Sequence, residues 1–145
     1  MRSSSGRYRF VWVADPKHRE TVIRLLHLED AKAAESPGTK ETGKSRDADE
    51  ELHGEEASTM QSVAGTLNYL ALDRPDIMYA SKCIMAEIGK PTRLCEARAK
   101  RCARYLIKVE AVEWHFPLQG VPAEIYIEVD SDLAGDQRES RPRAR

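Results

Sequence analysis

The sequence has 145 residues, of which 41% are hydrophobic and 32% charged, with a formal net charge of -1. That length holds one modest core, and the near-neutral balance excludes a chain that is basic as a whole, so affinity for nucleic acid must come from a local patch. No apolar run reaches the roughly 18 residues of a membrane span, and MRSSSGRYRF lacks the apolar centre of a secretory signal, which sets a cytoplasmic or nuclear expectation with no membrane partner.

Residues 7–13, RYRFVWV, are aromatic and β-branched and alternate in polarity, which predicts a strand. Asp15 and Pro16 then open a helix: the carboxylate can cap, and proline at the first helical position gives up an N–H that had no partner there. Val22, Leu25, Leu26 and Leu28 supply its inner side, so residues 1–30 read as a strand-helix unit.

From 31 to 57 the apolar pattern fails, and Ser36-Pro37-Gly38 breaks the chain. Between Glu41 and Glu56 there are seven acidic residues and two basic ones. This composition predicts an exposed acidic linker, with an acidic regulatory tail as the functional alternative.

Helical patterning resumes at Ser58, where Ser58-Thr59-Met60-Gln61 fits a capping box and Val63, Leu67 and Leu70 form an apolar face. Pro75 opens a second helix with Asp76 near its positive end and the stripe Ile77, Ala80, Ile84 and Ile88, ended by Gly89-Lys90-Pro91. A third, from about Thr92 to Lys108, places Cys95, Ala99, Cys102, Leu106 and Val109 at steps of four and three. Beside that stripe run Arg93, Arg98, Lys100, Arg101, Arg104 and Lys108 against one acid, Glu96, a net of +5 and the strongest local charge in the chain. Residues 58–109 therefore read as one helical unit.

Glu113–Leu118 and Glu124–Asp130 read as two strands joined by Gln119-Gly120-Val121-Pro122 in a hairpin, and after Asp136 no periodicity remains. Cys83, Cys95 and Cys102 have no Cys-x-x-Cys spacing and fall within helical patterns, as small buried hydrophobes do. His18, His27, His53 and His115 are scattered, without metal-ligand or triad spacing.

Four blocks in order carry a resemblance: Ser62-Val63-Ala64-Gly65-Thr66-Leu67-Asn68-Tyr69-Leu70, then Arg74-Pro75-Asp76-Ile77 with Tyr79-Ala80, then Pro91-Thr92, then Ala99-Lys100-Arg101 with Arg104-Tyr105-Leu106. They resemble the corresponding stretch of copia-type retrotransposon Pol polyproteins, after the polymerase active site. Upstream, Ala14-Asp15-Pro16-Lys17-His18 through Ser36-Pro37-Gly38 is similar to the segment that precedes it there. Downstream, Val129-Asp130-Ser131-Asp132-Leu133-Ala134-Gly135-Asp136 is similar to the opening of the family's RNase H domain, with Leu133 where the family has Trp.

The resemblance implies an α+β fragment: a small, mostly α-helical bundle, the thumb or connecting region of a reverse transcriptase, with the strand-helix unit before it and a truncated C-terminal β-hairpin after it. In these terms residues 110–137 are the truncated start of RNase H and 138–145 an unstructured tail. The implied parent activity is RNA-directed DNA polymerase with RNA–DNA hybrid nuclease, using magnesium.

Polymerase chemistry needs carboxylates that hold two metal ions, and the family's Tyr-x-Asp-Asp signature does not occur in this sequence. Asp130 falls on the first metal-binding, catalytic aspartate of RNase H, and one carboxylate cannot hold two ions, so the site is incomplete and no cofactor is expected for this chain. Lys100, Arg101, Arg104 and Lys108 are the candidates for contact with the phosphates of an RNA–DNA hybrid or DNA duplex, which would be weak, with the rest of the polyprotein as a further partner. The bland alternative for these four is a solvated basic face. The alternative for the whole chain is a non-catalytic nucleic-acid-binding or interaction remnant of a degenerate element.

Overall fold

The computed structural model describes residues 9–38, 50–117, 120 and 124–128. Among them, four helices form a bundle and two strands an antiparallel ribbon, which is the small, mostly helical α+β fold expected. Strand β1 (Arg9–Val13) leads into α1 (Pro16–Leu25); then come α2 (Gly54–Leu70), a single 3-10 turn (Pro75–Ile77), α3 (Met78–Met85), α4 (Arg93–Lys108) and β2 (Glu113–Pro117). Helix α1 packs on α2 and α4, and α3 bridges α2 and α4.

Helix α1 starts as its sequence predicts, with the Asp15 carboxylate accepting the N–H of Lys17 at 2.9 Å ahead of Pro16. It ends in a left-handed residue, His27 at φ 53°, with the N–H of Leu28 returning to Ile23 O and that of His27 to Arg24 O. This is the Schellman geometry, which usually takes glycine at that position.

Helix α2 begins four residues before the Ser58 capping box. Leu52 is buried in the core, which anchors the chain there, and Gly54 enters the helix at φ 57°, a backbone conformation open to glycine. Glu55 and Glu56 then sit in the first turn, where the helix dipole favours acids. The far end of this stretch is tied to α4: Glu51 bridges Thr92, and Arg93 N–H donates to Glu50 O. At the other end, residues 31–38 lie along α4. The stretch expected as a linker is therefore built into the bundle at both ends, and residues 39–49 lie outside the described residues.

The core is the set of apolar stripes read from the sequence. Val63, Leu67, Ile77, Ile84, Cys95, Ala99, Cys102 and Leu106 are fully buried, joined by Val22, Leu26, Met60, Leu70 and Ala103. Truncating one of the large ones, Leu67→Ala for example, removes about 2–5 kcal/mol, the usual cost of the lost transfer energy and the cavity.

Strand β2 forms where a strand was expected, but its partner is β1, in the register Phe10 opposite Phe116 and Trp12 opposite Trp114. Residues 124–128 pair with nothing in a ladder among the described residues. Cross-strand aromatic pairs are worth several tenths of a kcal/mol or more each, which explains the choice of β1. A two-stranded ribbon is marginal in water by itself. Here both indoles hold it to the loop after α2: Trp12 Nε1 donates to Asp73 Oδ1 at 3.1 Å, and Trp114 Nε1 to the Asp73 carbonyl at 2.8 Å.

Candidate nucleic-acid interface

Helix α4 is fixed at its start by Thr92, whose hydroxyl accepts the N–H of Cys95 at 3.3 Å. Its stripe is pinned to the core, where the Cys95 thiol also reaches the carbonyl of Ile84 at 3.7 Å. With that side buried, the 3.6-residue period turns the basic positions to the opposite side of the helix. Lys100, Arg101 and Arg104 are half-buried there, and Lys108 is exposed.

Each of the four has a partner. Lys100 Nζ meets Glu96 Oε1 at 2.7 Å, one turn back on the same helix. This hydrogen bond holds the Glu96 carboxyl below the usual carboxylate range, against its partial burial and with help from Arg93. Arg101 donates from Nη2 to Ser36 Oγ at 2.9 Å and from Nε to Gly38 O at 3.3 Å. Arg104 Nε donates to Lys32 O at 2.5 Å, and Lys108 pairs with Glu35. Three of the four are thus engaged by one segment, residues 32–38.

Acceptor chemistry separates them. Lys100 and Lys108 face carboxylates, whereas Arg101 and Arg104 bond to carbonyls and a hydroxyl, which satisfy a guanidinium without cancelling its charge. The other two basic residues of α4 serve the bundle: Arg98 pairs with Glu87 at 2.8 Å, and Arg93 joins Glu56 of α2 at 2.9 Å and Glu96 at 3.1 Å.

Sequence reasoning missed the segment that lies over this face. Its one apolar anchor is Ala34, a residue too small to register as a hydrophobic stripe. Ser36-Pro37-Gly38 was legible as a turn, but a turn does not say which helix it rests on.

Asp130 lies outside the described residues. Among those described, no three His, Cys, Asp or Glu side chains converge in a way that would hold a metal ion, so no step through magnesium is assigned to them. Also among them, no helix is long and apolar enough to cross a membrane. No family model, curated protein or solved structure matches the chain.

Proposed function

We propose that this chain is a piece of a copia-type retrotransposon Pol polyprotein, running from the thumb or connecting region of the reverse transcriptase into the start of RNase H, and that α4 serves it by holding nucleic-acid backbone. The observation that carries the binding role is the division of α4. Cys95, Ala99, Cys102 and Leu106 are fully buried, while Lys100, Arg101, Arg104 and Lys108 share the other side within about two turns. The four ordered sequence blocks carry the family reading, since Arg74-Pro75-Asp76-Ile77 and Lys100-Arg101 with Tyr105-Leu106 stand in the family's order.

The partner is an RNA–DNA hybrid or DNA duplex, bound through phosphates, weakly and without regard to sequence. The parent's magnesium chemistry belongs to carboxylates of which Asp130 alone is matched in this sequence, so a holding role is proposed for the α4 residues.

The experiment is a fluorescence-anisotropy titration of a labelled duplex at several salt concentrations. Three or four phosphate contacts give a slope of log affinity against log salt of roughly -3. Replacing Lys100, Arg101, Arg104 and Lys108 together with Ala flattens it, with the helix kept by its buried stripe. An unchanged slope in the folded quadruple variant overturns the binding role.

A second reading, a remnant whose work is interaction alone, draws on the ribbon. Phe10, Trp12, Trp114 and Phe116 lie on one face of it, each between 38% and 54% exposed. In the family reading that face meets the rest of the polyprotein. Concentration-dependent self-association in sedimentation, together with no duplex binding at low salt, favours this second reading.

A further inference from the structure

We infer that residues 31–38 form a strap that competes with nucleic-acid phosphate for α4, so that the binding face is self-occluded until duplex displaces it. The inference rests on the proposed binding role of α4 and concerns how that face is regulated.

Two sets of observations carry it. The first is what the strap occupies: it holds Arg101 through Ser36 and Gly38, Arg104 through the carbonyl of Lys32, and Lys108 through Glu35. These are three of the four cations that a phosphate backbone would contact. The second is how the strap is held. Its backbone gives one hydrogen bond to α4, from Ala34 N–H to Arg104 O at 3.0 Å, and Ala34 is buried yet stands outside the contiguous core cluster.

The chemistry of exchange favours displacement. Two of the three cations are held by neutral oxygens, which leave the guanidinium charge uncompensated, whereas a phosphate both compensates the charge and can accept the guanidinium fork in a bidentate pair. Lys108 is held by Glu35, whose side chain is 84% exposed, and an ion pair so open to water contributes little. A strap fixed to α4 by one backbone bond, one buried alanine and exchangeable polar contacts is a low-stability element that can open while the bundle stays folded.

A strap seated on Arg101, Arg104 and Lys108 competes with the duplex for all three. Apparent affinity is therefore the intrinsic affinity reduced by the fraction of time the strap is open.

Hydrogen exchange of the full chain, with and without an RNA–DNA hybrid, tests this directly at the Ala34 amide. Displacement makes that amide exchange faster in the complex, while amides of α4 such as Cys102 keep their protection. Faster exchange at Ala34 supports the strap; unchanged or slower exchange in a chain that binds duplex overturns it and leaves the binding role standing.

The companion variant is Ala34→Pro, which deletes the N–H that reaches the Arg104 backbone carbonyl and replaces none of the binding side chains. Its affinity for the hybrid should rise about tenfold, the factor for a strap open roughly a tenth of the time. Equal affinity in a chain whose helices are intact by circular dichroism overturns the inference. Glu35→Gln, which frees Lys108, should move affinity the same way by a smaller factor, and it replaces Ala34→Pro as the deciding variant if the proline disturbs the fold. If neither wild type nor the opened variants bind at low salt, the binding role itself fails and the strap's function with it.

Discussion

Arg74 is buried with its guanidinium clasped by Asp76 two residues on: Nε donates to Oδ1 at 2.9 Å and Nη2 to Oδ2 at 2.7 Å. The same guanidinium donates to the carbonyls of Val109 at 3.0 Å and Glu110 at 3.3 Å, just past the end of α4. Those carbonyls belong to the turn that leaves the helix, where backbone acceptors lack helical partners. One side chain from the loop after α2 thus closes the C-terminus of α4, and the ion pair fixes the fork that does it.

Asp76→Asn leaves the Arg74 charge buried without its counter-ion, and stability should fall by on the order of 3 kcal/mol at neutral pH. The effect should fade in acid. Burial by itself would raise the Asp76 carboxyl, but hydrogen bonding and charge from Arg74, with the Tyr105 hydroxyl adding a further hydrogen bond, hold it below the usual carboxylate range. A carboxyl lowered by folding contributes stability above its unfolded value of about 3.9 and loses it as pH falls through the folded value. Urea unfolding at pH 7 and pH 3 checks this, and a gap between wild type and variant that did not narrow at pH 3 would exclude the pair as its source.

The apolar stripes of α2, α3 and α4 were legible because a 3.6-residue period is a local signal. Leu67, Ile84 and Leu106 all lie where that signal put them. Three features were not legible, and each depends on a distant partner. The strand at Glu113 chose β1, about a hundred residues away, because matched aromatics lie there. Leu52 is a lone apolar residue in an acidic run, and only the core around it shows why α2 starts early. Arg74 carries a charge that normally signals surface, and its burial is explained by Asp76 and the end of α4. For the interface, the four basic residues could be named from spacing, but their occupation by residues 32–38 could not.

The three thiols should differ in reactivity. Burial, with the Asp76 charge adding to it, pushes the Cys102 thiol up to about 12, so almost no thiolate exists at pH 8. Cys95 is as deeply buried, whereas Cys83 is part-exposed on α3. Titration of the folded chain with a disulfide reagent at pH 8 should modify Cys83 first, and Cys95 and Cys102 only on unfolding. Prompt modification of Cys102 in a chain with intact helices would mean that α4 does not pack as described.

Ser81 on α3 is 1% exposed, and its hydroxyl oxygen has no hydrogen-bond partner among the described residues. A serine within a helix can bond back to the carbonyl four residues earlier, and here that bond is not made. An unsatisfied buried hydroxyl costs about 1–3 kcal/mol. Ser81→Ala removes the penalty, keeps the Cβ that packs, and gains a few tenths of a kcal/mol in helix propensity. The loss is one oxygen's worth of contacts, which is smaller. Stability should therefore rise by about 1 kcal/mol, seen as a higher urea midpoint with an unchanged slope. A lower midpoint would show that the hydroxyl bonds a buried water in solution, since only a satisfied group is costly to delete.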